Sequence, residues 1–400
     1  MTMPLGDYRA ELIGALGAVA TIELPIGDAL GSSLAQDIVA ARSLPPADVA
    51  DTDGYALHSQ DAVEPTSLPV AFDVDAGDLS PRVHVRGTAV RVTSGAPIPR
   101  GADTVIPAAD TDGGIGSVRL SRAALQGEHV RPRGFDAAEG AIVVPAGRRL
   151  GPRELGLAAA LGYSRLAARP VPRVVVIAVG GELVDPHSDG DGVPEANTHM
   201  LAALVEDAGA RAYRVGAVPD EPGELAAALE DQVVRADVIL TTGGLSGGRH
   251  DTLVDVLRTI GTGVAYDVGL APGARHARGT VGGRNVPVVC LPGHPVSALV
   301  AFEAYVRPAL RAMSGFAEVN RVTIRAEFAG EWHSAAGITE ALPVVLDLDD
   351  EGVVRASALA DGQGGVSFVS AVASDGLAWI RPSVTELRPG DEVRCTVWDR

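Results

Sequence analysis

The sequence predicts a multidomain α/β plus β protein, in which a central doubly wound, mostly parallel α/β domain is flanked by small β-rich N-terminal domains and a C-terminal β domain. Strands alternate with helices between residues 173 and 315, whereas short β-type runs broken by glycine, proline and aspartate occupy residues 69–144 and 322–400. A chain of 400 residues also exceeds the size at which one hydrophobic core keeps growing.

Domain boundaries are placed where the pattern changes. Residues 1–68 and 141–172 are predicted to form an N-terminal helical and linker subdomain, and residues 69–140 a small, mostly antiparallel β subdomain. The α/β domain is expected over residues 173–315, and a C-terminal β domain over residues 320–400.

The N-terminal half begins with helical patterns and continues as short strands. Apolar residues at helical spacing predict a helix over residues 7–19 near a domain surface and a helical turn over residues 28–34. Residues 43–57 carry two prolines and three aspartates within six positions, which favour a turn, although an acidic turn is usually only a solvated loop. A helix over residues 152–161 closes this half, and residues 168–173 form the predicted linker.

The α/β half starts with a long apolar run. Residues 173–184 predict one buried strand, and Asn197 is expected to cap the helix that follows it. The remaining predicted elements of this half are strands at 212–218, 238–240 and 287–291 and helices at 224–234 and 296–313.

One stretch of this half, residues 236–251, combines an apolar strand, four glycines within six positions and Asp251 at the head of an amphipathic segment. Glycine lets backbone N–H groups approach a ligand closely, and the start of a helix adds positive partial charge. Because open α/β sheets bind ligands at the carboxyl ends of their strands, the stretch favours an anion site, with phosphate as the expected anion. An ordinary strand-to-helix turn would explain the same glycines.

Composition narrows the function classes. The net charge of −18, from 51 acidic and 33 basic residues, argues against general binding to nucleic acid or to anionic membranes. No apolar run approaches the length of a membrane span, and the N-terminus lacks the pattern of a signal peptide, so a cytoplasmic protein is expected. Two cysteines are too few for a disulfide framework or a thiolate metal site. All 33 basic residues are arginine.

Six short motifs occur in a recognisable order, namely TDGYA, SGAPIPRGADTVI, RPRGFD, GGELV, TTGGLSGGRHD and LPGHPVSA. With them, essentially the whole chain resembles the MoeA-type molybdopterin molybdenumtransferases and the homologous carboxyl-terminal domain of gephyrin. The resemblance implies an elongated homodimer with four subdomains in each chain. It also implies Mg²⁺-dependent insertion of molybdate into adenylylated molybdopterin, with release of AMP.

The resemblance further implies a set of site residues. The implied catalytic residues are Asp53, Ser94, Asp136, Glu182, Asp220 and Asp251. Three of them, Glu182, Asp220 and Asp251, are expected to meet at one edge of the α/β sheet and to bind Mg²⁺ through hard oxygen ligands. Asp53 and Ser94 are expected to come from the partner subunit. The implied residues that bind molybdopterin are Gly243, Gly244, Ser246, Gly247, Arg275, Pro292, Gly293, Pro295 and Ser297.

The chain departs from the family pattern mainly at cationic positions. The family's KPGKP motif appears as APGAR at residues 271–275, and a further family lysine aligns with Asp267. The C-terminal arginine motif appears as GITEALPVV, without arginine, and QGS appears as QGG at residues 363–365. In addition, LPGNP appears as LPGHP and STGDEL as AVGGEL.

The missing lysines matter because the substrates are anions. Carboxylates around a molybdopterin adenylate and a molybdate dianion would repel them by several kcal/mol, even at an effective dielectric constant near ~20. The available replacements are Arg249, His250, Arg275, His276 and Arg278. Arg275 is the expected surrogate cation, because a guanidinium can hold a phosphate through two hydrogen bonds.

Two alternatives to the transferase stay open. In one, the dimer has a weakened active site and serves as a gephyrin-like scaffold that binds a peptide of a cytoskeletal or membrane-receptor partner. Its strong acidity would favour a basic or amphipathic peptide. In the other, the enzyme is a tungsten-specific paralogue, because molybdate and tungstate have nearly the same size and charge.

Overall fold

The computed structural model describes residues 2–78, 80–187, 191–245, 251–359 and 365–398. The first part of the chain is built mainly of short strands. Its elements are α1 (Leu5–Leu16), β1 (Ile22–Pro25), β2 (Ser33–Leu34), β3 (Ile38–Val39), β4 (Val49–Ala50), β5 (Gly54–Leu57), β6 (Ser67–Val74), β7 (Ala89–Val92), β8 (Thr104–Pro107), β9 (Ser117–Arg119), β10 (Val130–Arg131), β11 (Ile142–Val144), α2 (Pro152–Ala160) and β12 (Arg165–Arg169).

Two sheets dominate this part. A five-stranded sheet has the order β8-β5-β7-β6-β9, with only β6 and β7 parallel, which confirms the predicted antiparallel character. A smaller sheet has the order β1-β12-β2. The predicted helical turn over residues 28–34 is wrong, because a 3₁₀ turn at Ile26–Asp28 is followed by strand β2. Gly31 lies between them with φ of 81°, a left-handed conformation that ends helical geometry.

Helix α1 packs on the α/β part of the chain. Tyr8, Leu12 and Leu16 recur every four residues along one face, and all three are buried in a core shared with the α/β sheet. The ring of Tyr8 meets that of Tyr305 edge-on, with centroids 4.9 Å apart. The helix therefore buries one face in this core and exposes the other, as expected of a helix near a domain surface.

The α/β part alternates strands and helices as predicted. Its elements are β13 (Arg173–Val179), β14 (Leu183–Val184), β15 (Val193–Pro194), α3 (Asn197–Asp207), β16 (Arg211–Val218), α4 (Pro222–Glu230), β17 (Val238–Gly243), α5 (Thr252–Ile260), β18 (Gly261–Asp267), β19 (Leu270–Ala271), β20 (Arg275–Val281), β21 (Val286–Leu291), α6 (Pro295–Ala301) and α7 (Arg307–Ser314). The six-stranded sheet has the order β16-β13-β17-β21-β20-β18. Strands β16, β13, β17 and β21 are parallel, whereas β20 runs antiparallel to both of its neighbours, β21 and β18.

The side chains of strand β13 show that the sheet is covered on both faces. Val174 and Val176 belong to one apolar core, and Val175 and Ile177 belong to the core on the other face. The doubly wound fold is confirmed. The prediction of one strand over residues 173–184 is wrong, because β13 ends at Val179 and a turn separates it from the short β14.

The long helical segment near the end of this part has an irregular centre. Helices α6 and α7 are joined by one π-helical stretch, Phe302–Val306, which inserts an extra residue into the helical repeat. The stretch is fully buried and carries Glu303 and Tyr305 inward.

The C-terminal part is the predicted β domain. Its elements are β22 (Thr323–Phe328), β23 (Trp332–His333), β24 (Thr339–Leu348), β25 (Val354–Ala358), α8 (Phe368–Ala373), β26 (Gly376–Ile380), β27 (Glu386–Leu387) and β28 (Glu392–Val397). Strands β24, β25, β22, β28 and β26 close into a barrel, and β19 extends β24 from the α/β part. Across the described ranges, no helix combines the length and apolarity needed to cross a membrane.

Candidate active site

A cavity of about 470 Å³ opens at the carboxyl edge of the α/β sheet, where β13 and β17 end. This is the edge at which open parallel sheets bind ligands. The cavity is lined by Ala178, Val179, Gly180, Glu182, Leu183, Val193, Pro194, Glu195, Ala196, Asn197, Asp220, Thr242, Gly243, Gly244, Leu245, Thr252, Gly293 and Pro295. Six residues predicted from the sequence are among them, which are Glu182, Asp220, Gly243, Gly244, Gly293 and Pro295.

Glu182 and Asp220 face this cavity, and a third lining carboxylate, Glu195, is buried and lies 4.0 Å from Arg214. Glu182 follows β13 and folds back so closely that a Cβ on Gly180 would lie 2.8 Å from its Oε1. Asp220 follows β16, and a Cβ on Gly181 would lie 3.6 Å from its Oδ1. Within the described residues neither Glu182 nor Asp220 has an ion-pair partner, so both leave oxygens free for a cation.

The end of β17 forms the glycine turn that the sequence predicted. Gly243 and Gly244 have φ values of 86° and 71°, where side chains other than glycine are strained. A Cβ on Gly243 would lie only 2.2 Å from the carbonyl oxygen of Val179, so no other residue fits at this position without a shift of the backbone. The turn therefore needs glycine for its conformation and for its packing against β13, and both glycines line the cavity. Ser246 and Gly247, also predicted to bind molybdopterin, lie outside the described residues.

Asn197 has a different role from the predicted helix cap. It lies inside the first turn of α3, and its Nδ2 donates hydrogen bonds to Thr242 Oγ1 at 3.0 Å and to the carbonyl of Gly293 at 2.6 Å. The cap is supplied by buried Glu195, whose Oε1 accepts the N–H of Thr198 at 2.7 Å. Asn197 Oδ1 is buried and accepts no hydrogen bond from the described residues, although its side chain lines the cavity.

The loop after β21 forms the opposite wall. Thr242 Oγ1 donates to the carbonyl of Pro292 at 2.8 Å, so the ends of β17 and β21 are tied together. Gly293 and Pro295 line the cavity, whereas Ser297 is buried beneath the turn at Gly273 and does not. A Cβ on Gly273 would lie 2.6 Å from the Cβ of Ser297.

Asp251 and Arg275 form an ion pair beside the cavity. Asp251 precedes helix α5 as predicted, is only 7% exposed, and binds the guanidinium of Arg275 directly. Arg275 also lies 3.3 Å from Asp267, and the hydrogen bond that Arg275 donates to Asp251 raises the pKa of Arg275. Neither Asp251 nor Arg275 lines the cavity. The positive charge of Arg275, the expected surrogate cation, is largely balanced by Asp251 and Asp267 within the protein.

His276 and Arg278 are placed away from the cavity. His276 is fully buried, and its Nε2 lies 2.8 Å from the carbonyl oxygen of Gly273. A carbonyl only accepts, so Nε2 carries the proton and Nδ1 accepts from the hydroxyl of Tyr305 at 2.8 Å. Burial lowers the pKa of His276 to about 4, which makes it a neutral core residue at pH 7. Arg278 instead pairs with Glu11 of α1.

The lowered pKa of His276 predicts a specific loss of stability in acid. In the unfolded chain this histidine binds a proton below about pH 6.5, whereas in the folded chain it does so only near pH 4. Its contribution is therefore complete above pH 6.5 and falls as the pH drops towards 4. In His276→Gln this part of the pH dependence should vanish. Between pH 7 and pH 4.5 the free energy of unfolding of the wild type should therefore fall by about 2 to 3 kcal/mol more than that of the variant.

Hydrogen exchange of the β13 amides near pH 7 and near pH 4.5 measures this difference. His333→Gln, at an exposed histidine of the C-terminal part, is the control and should titrate like the wild type. An equal loss of protection in the wild type and in His276→Gln would contradict the assignment.

Asp53, Ser94 and Asp136 lie in the N-terminal part. The N–H of Ser94 donates to Asp53 Oδ1 at 2.7 Å, and Ser94 Oγ donates to the carbonyl of Asp51 at 3.1 Å. Asp136 lies 4.0 Å from Arg131. None of the three lines the cavity of its own chain. Their catalytic role stays a prediction.

Mg²⁺ is compatible with the acidic residues found here. In the part of the chain that the structure describes, no group of three or more histidine, cysteine, aspartate or glutamate side chains is close enough to hold a metal ion. Mg²⁺ is commonly held by one or two carboxylates together with water and substrate phosphates. Glu182 and Asp220 meet that requirement, and the predicted third ligand, Asp251, is engaged with Arg275.

Family models cover almost the whole chain. The MoeA N-terminal region (domain I and II) matches residues 3–162, a probable molybdopterin binding domain matches residues 175–312, and the MoeA C-terminal region (domain IV) matches residues 325–398. Molybdopterin molybdenumtransferase 1 of Mycobacterium tuberculosis is 36% identical over 413 residues, covering 97% of both chains. The chain belongs to the MoeA family.

Two further comparisons agree with membership of the MoeA family. Molybdopterin molybdenumtransferase 2 of Mycobacterium tuberculosis is 38% identical over 328 residues, which cover 79% of this chain and 80% of that protein. The crystal structure of the molybdopterin biosynthesis MoeA protein of Pyrococcus horikoshii superposes with a TM-score of 0.79 at 28% identity, covering 99% of both chains. The MoeA arrangement therefore extends over the full chain described above.

Proposed function

We propose that this MoeA-family chain is a molybdopterin molybdenumtransferase in the biosynthesis of the molybdenum cofactor. It inserts molybdate into adenylylated molybdopterin and releases AMP, and the reaction depends on Mg²⁺. The observation that carries the proposal is the convergence of Glu182 and Asp220 on a cavity whose rim is the glycine turn of β17. The names of the two mycobacterial relatives support the same activity.

The acidic residues hold the metal, and the glycine turn holds the phosphates. Glu182 and Asp220 would hold Mg²⁺. Asp251, the third ligand that the family resemblance implies, would have to exchange its pair with Arg275 for the metal. When bound, Mg²⁺ supplies positive charge that polarises the phosphoryl oxygens of the adenylate. Gly243 and Gly244 line the cavity and would present backbone N–H groups to the diphosphate.

Asn197 orients the substrate from the cavity wall. Its amide nitrogen is already committed to Thr242 and Gly293, which fixes the orientation of the amide group. Its buried Oδ1 is then an acceptor that a ligand N–H or O–H can reach without any side-chain movement. An acceptor left unpaired in a buried wall costs roughly 1 to 3 kcal/mol, so a ligand donor that reaches it binds more tightly.

The second half of the site comes from a partner subunit. Asp53 and Ser94 are tied together by a 2.7 Å hydrogen bond in a turn of the N-terminal part, yet neither lines the cavity of the same chain. A homodimer in which one chain's turn at Asp53 faces the other chain's cavity accounts for both observations.

The gephyrin-like scaffold is the competing proposal, and one observation favours it. Among the described residues that line the cavity, none is basic, and the nearby Arg275 is paired with Asp251 and Asp267. A site without cations binds a polyanion weakly unless metal ions supply the charge. The scaffold retains the dimer and binds a basic or amphipathic peptide instead.

AMP release separates the two proposals. Purified full-length protein is incubated with Mg²⁺, molybdate and molybdopterin adenylate, and AMP is quantified against a reference transferase. We expect turnover that requires both Mg²⁺ and molybdate, and repeating the reaction with tungstate defines the oxyanion preference. Background AMP in the complete mixture, under conditions where the reference enzyme turns over, would overturn the transferase proposal and leave the scaffold.

A further inference from the structure

A second cavity, of about 520 Å³, lies between the N-terminal part and helix α7 of the α/β part. It shares no residue with the candidate active site. Its walls are the loop before α2, the first turn of α2, and the chain around the end of α7. The lining residues that the argument uses are Arg148, Arg149, Arg153, Glu154, Arg311 and Glu318.

The charge of this cavity is opposite to that of the protein as a whole. Four arginines and two glutamates line it, whereas the chain carries 51 acidic and 33 basic residues. Arg148 lies 3.3 Å from Glu154, which accounts for one of the positive charges. The guanidinium groups of Arg149, Arg153 and Arg311 have no carboxylate ion-pair partner among the described residues. The cavity is therefore a local positive site in an acidic molecule.

Arg311 shows that the positive charges act on one another. Its Nε donates to the carbonyl oxygen of Glu318 at 2.7 Å, and its guanidinium lies 4.6 Å from the centroid of the Phe316 ring. Burial lowers the pKa of Arg311, and the neighbouring charges of Arg307 and Arg149 lower it further. The carboxylates of Glu318 and Asp207 act in the opposite direction, and an anion beside Arg311 would add to that compensation.

The N-terminus of the nine-residue helix α2 is part of the wall but is already capped. The carboxylate of Glu154 accepts the N–H groups of Gly151 and of Glu154 itself, and Pro152 has no N–H, so the positive charge of the cavity comes from the arginines. Glu154 accepts the N–H of Gly151 at 3.1 Å but also contacts Arg148, so its charge is shared. A volume of about 520 Å³ is within the range of small-molecule sites and is far larger than a single chloride ion needs.

We propose that this cavity binds a small molecule that carries a diphosphate group, either inorganic pyrophosphate or the diphosphate of a nucleotide. Guanidinium groups hold phosphate oxygens through paired hydrogen bonds, and Arg149 and Arg153 supply two such groups around one space. Arg311 adds its charge, because its Nε and Nη1 already donate to the carbonyls of Glu318 and Ala208. The site is separate from the proposed transferase reaction and does not depend on it.

Occupation of the cavity would strengthen a contact between two parts of the chain. The N–H of Ala317 donates to the carbonyl of Gly147 at 3.1 Å, and Ser33 Oγ donates to the carbonyl of Gly315 at 2.9 Å. These hydrogen bonds join the same two walls that the arginines line. A bound diphosphate would add a charge-assisted bridge beside them and would raise the unfolding temperature.

Calorimetric titration of the full chain in EDTA tests the proposal. Without divalent cations the carboxylate-lined active site does not attract a diphosphate, whereas the arginine-lined cavity needs no metal. We expect one inorganic pyrophosphate or one ADP per chain, with affinity that falls as salt is raised. The double variant Arg149→Gln/Arg153→Gln should bind at least about tenfold more weakly, because it removes two charged donors that are exposed and pair with no carboxylate in the described structure.

The matched control is Arg325→Gln/Arg388→Gln. It removes the same charge from exposed positions of the C-terminal part, and its affinity should stay within about twofold of the wild type. Tight binding of ADP would identify a nucleotide diphosphate, and binding of pyrophosphate alone would identify the inorganic anion. Absence of binding of both ligands at millimolar concentration, or equal affinities for the double variant and the wild type, would overturn the proposal.

Discussion

Asp220→Asn is expected to lower the rate of AMP release at least about 100-fold, which corresponds to roughly 2.7 kcal/mol of activation free energy. Asp220 is one of the two carboxylates that face the active-site cavity without an ion-pair partner among the described residues. The amide keeps the size and shape of the side chain but removes the negative charge that holds Mg²⁺. Part of the lost rate should return as Mg²⁺ is raised, because the defect lies in metal binding.

Glu221→Gln is the matched control for this variant. Glu221 is the next residue of the same loop, is exposed and does not line the cavity, so the same loss of charge there should change the rate less than twofold. Both variants should keep the wild-type unfolding temperature. Turnover of Asp220→Asn at the wild-type rate, or an equal loss in Glu221→Gln, would show that the acidic cavity is not the metal site.

Asp220→Asn can also be used to test whether Asp53 acts in the cavity of the partner subunit. In a heterodimer of one Asp53→Asn chain and one Asp220→Asn chain, a site shared between subunits is intact once per dimer, whereas a site within one chain is intact nowhere. We therefore expect about half of the wild-type rate from the purified heterodimer and almost none from either homodimer. An inactive heterodimer would place Asp53 in the cavity of its own chain, and an active Asp53→Asn homodimer would place it outside catalysis.

Local chemistry explains why part of the site could be predicted. The strand, the glycines and Asp251 are contiguous in sequence, and a turn with positive φ at Gly243 and Gly244 needs glycine. Glu182 and Asp220 follow successive parallel strands, whose carboxyl ends share one edge of the sheet by topology alone. These residues come together through local turn geometry and through the connection of neighbouring parallel strands, both of which can be inferred from a short stretch of sequence.

Long-range pairing explains what the sequence alone did not show. His276 looked available as a site cation, but it is buried against Tyr305 and against Tyr8, which is 268 positions away in sequence. The sequence suggested that Arg275 could bind phosphate, but its guanidinium forms ion pairs with Asp251 and Asp267. Asn197 stands where a cap is expected, but Thr242 of β17 and Gly293 of the loop after β21 bind its amide and fix its orientation.

Glu303→Gln is expected to destabilise the protein by about 3 kcal/mol, the largest stability effect that the structure predicts. Glu303 lies on the buried π-helical stretch and accepts two hydrogen bonds from Arg321, from Nε at 2.9 Å and from Nη2 at 3.2 Å. Their side chains are 2% and 7% exposed, and Arg321 also binds Asp207. The amide removes one of the negative charges that neutralise the buried guanidinium of Arg321. The resulting loss of folding free energy is much larger than for an ion pair exposed to water.

The exposed pair Arg325 and Glu392 is the control, because its 3.4 Å contact is solvated and Glu392→Gln should cost less than about 1 kcal/mol. Arg321 lies in the connection to the C-terminal barrel, 5.6 Å from the ring centroid of Trp398. Tryptophan fluorescence during urea unfolding should therefore change first in Glu303→Gln, as the barrel loosens from the α/β part. Equal costs for the two variants would mean that the buried network is dispensable and that apolar packing alone holds the barrel in place.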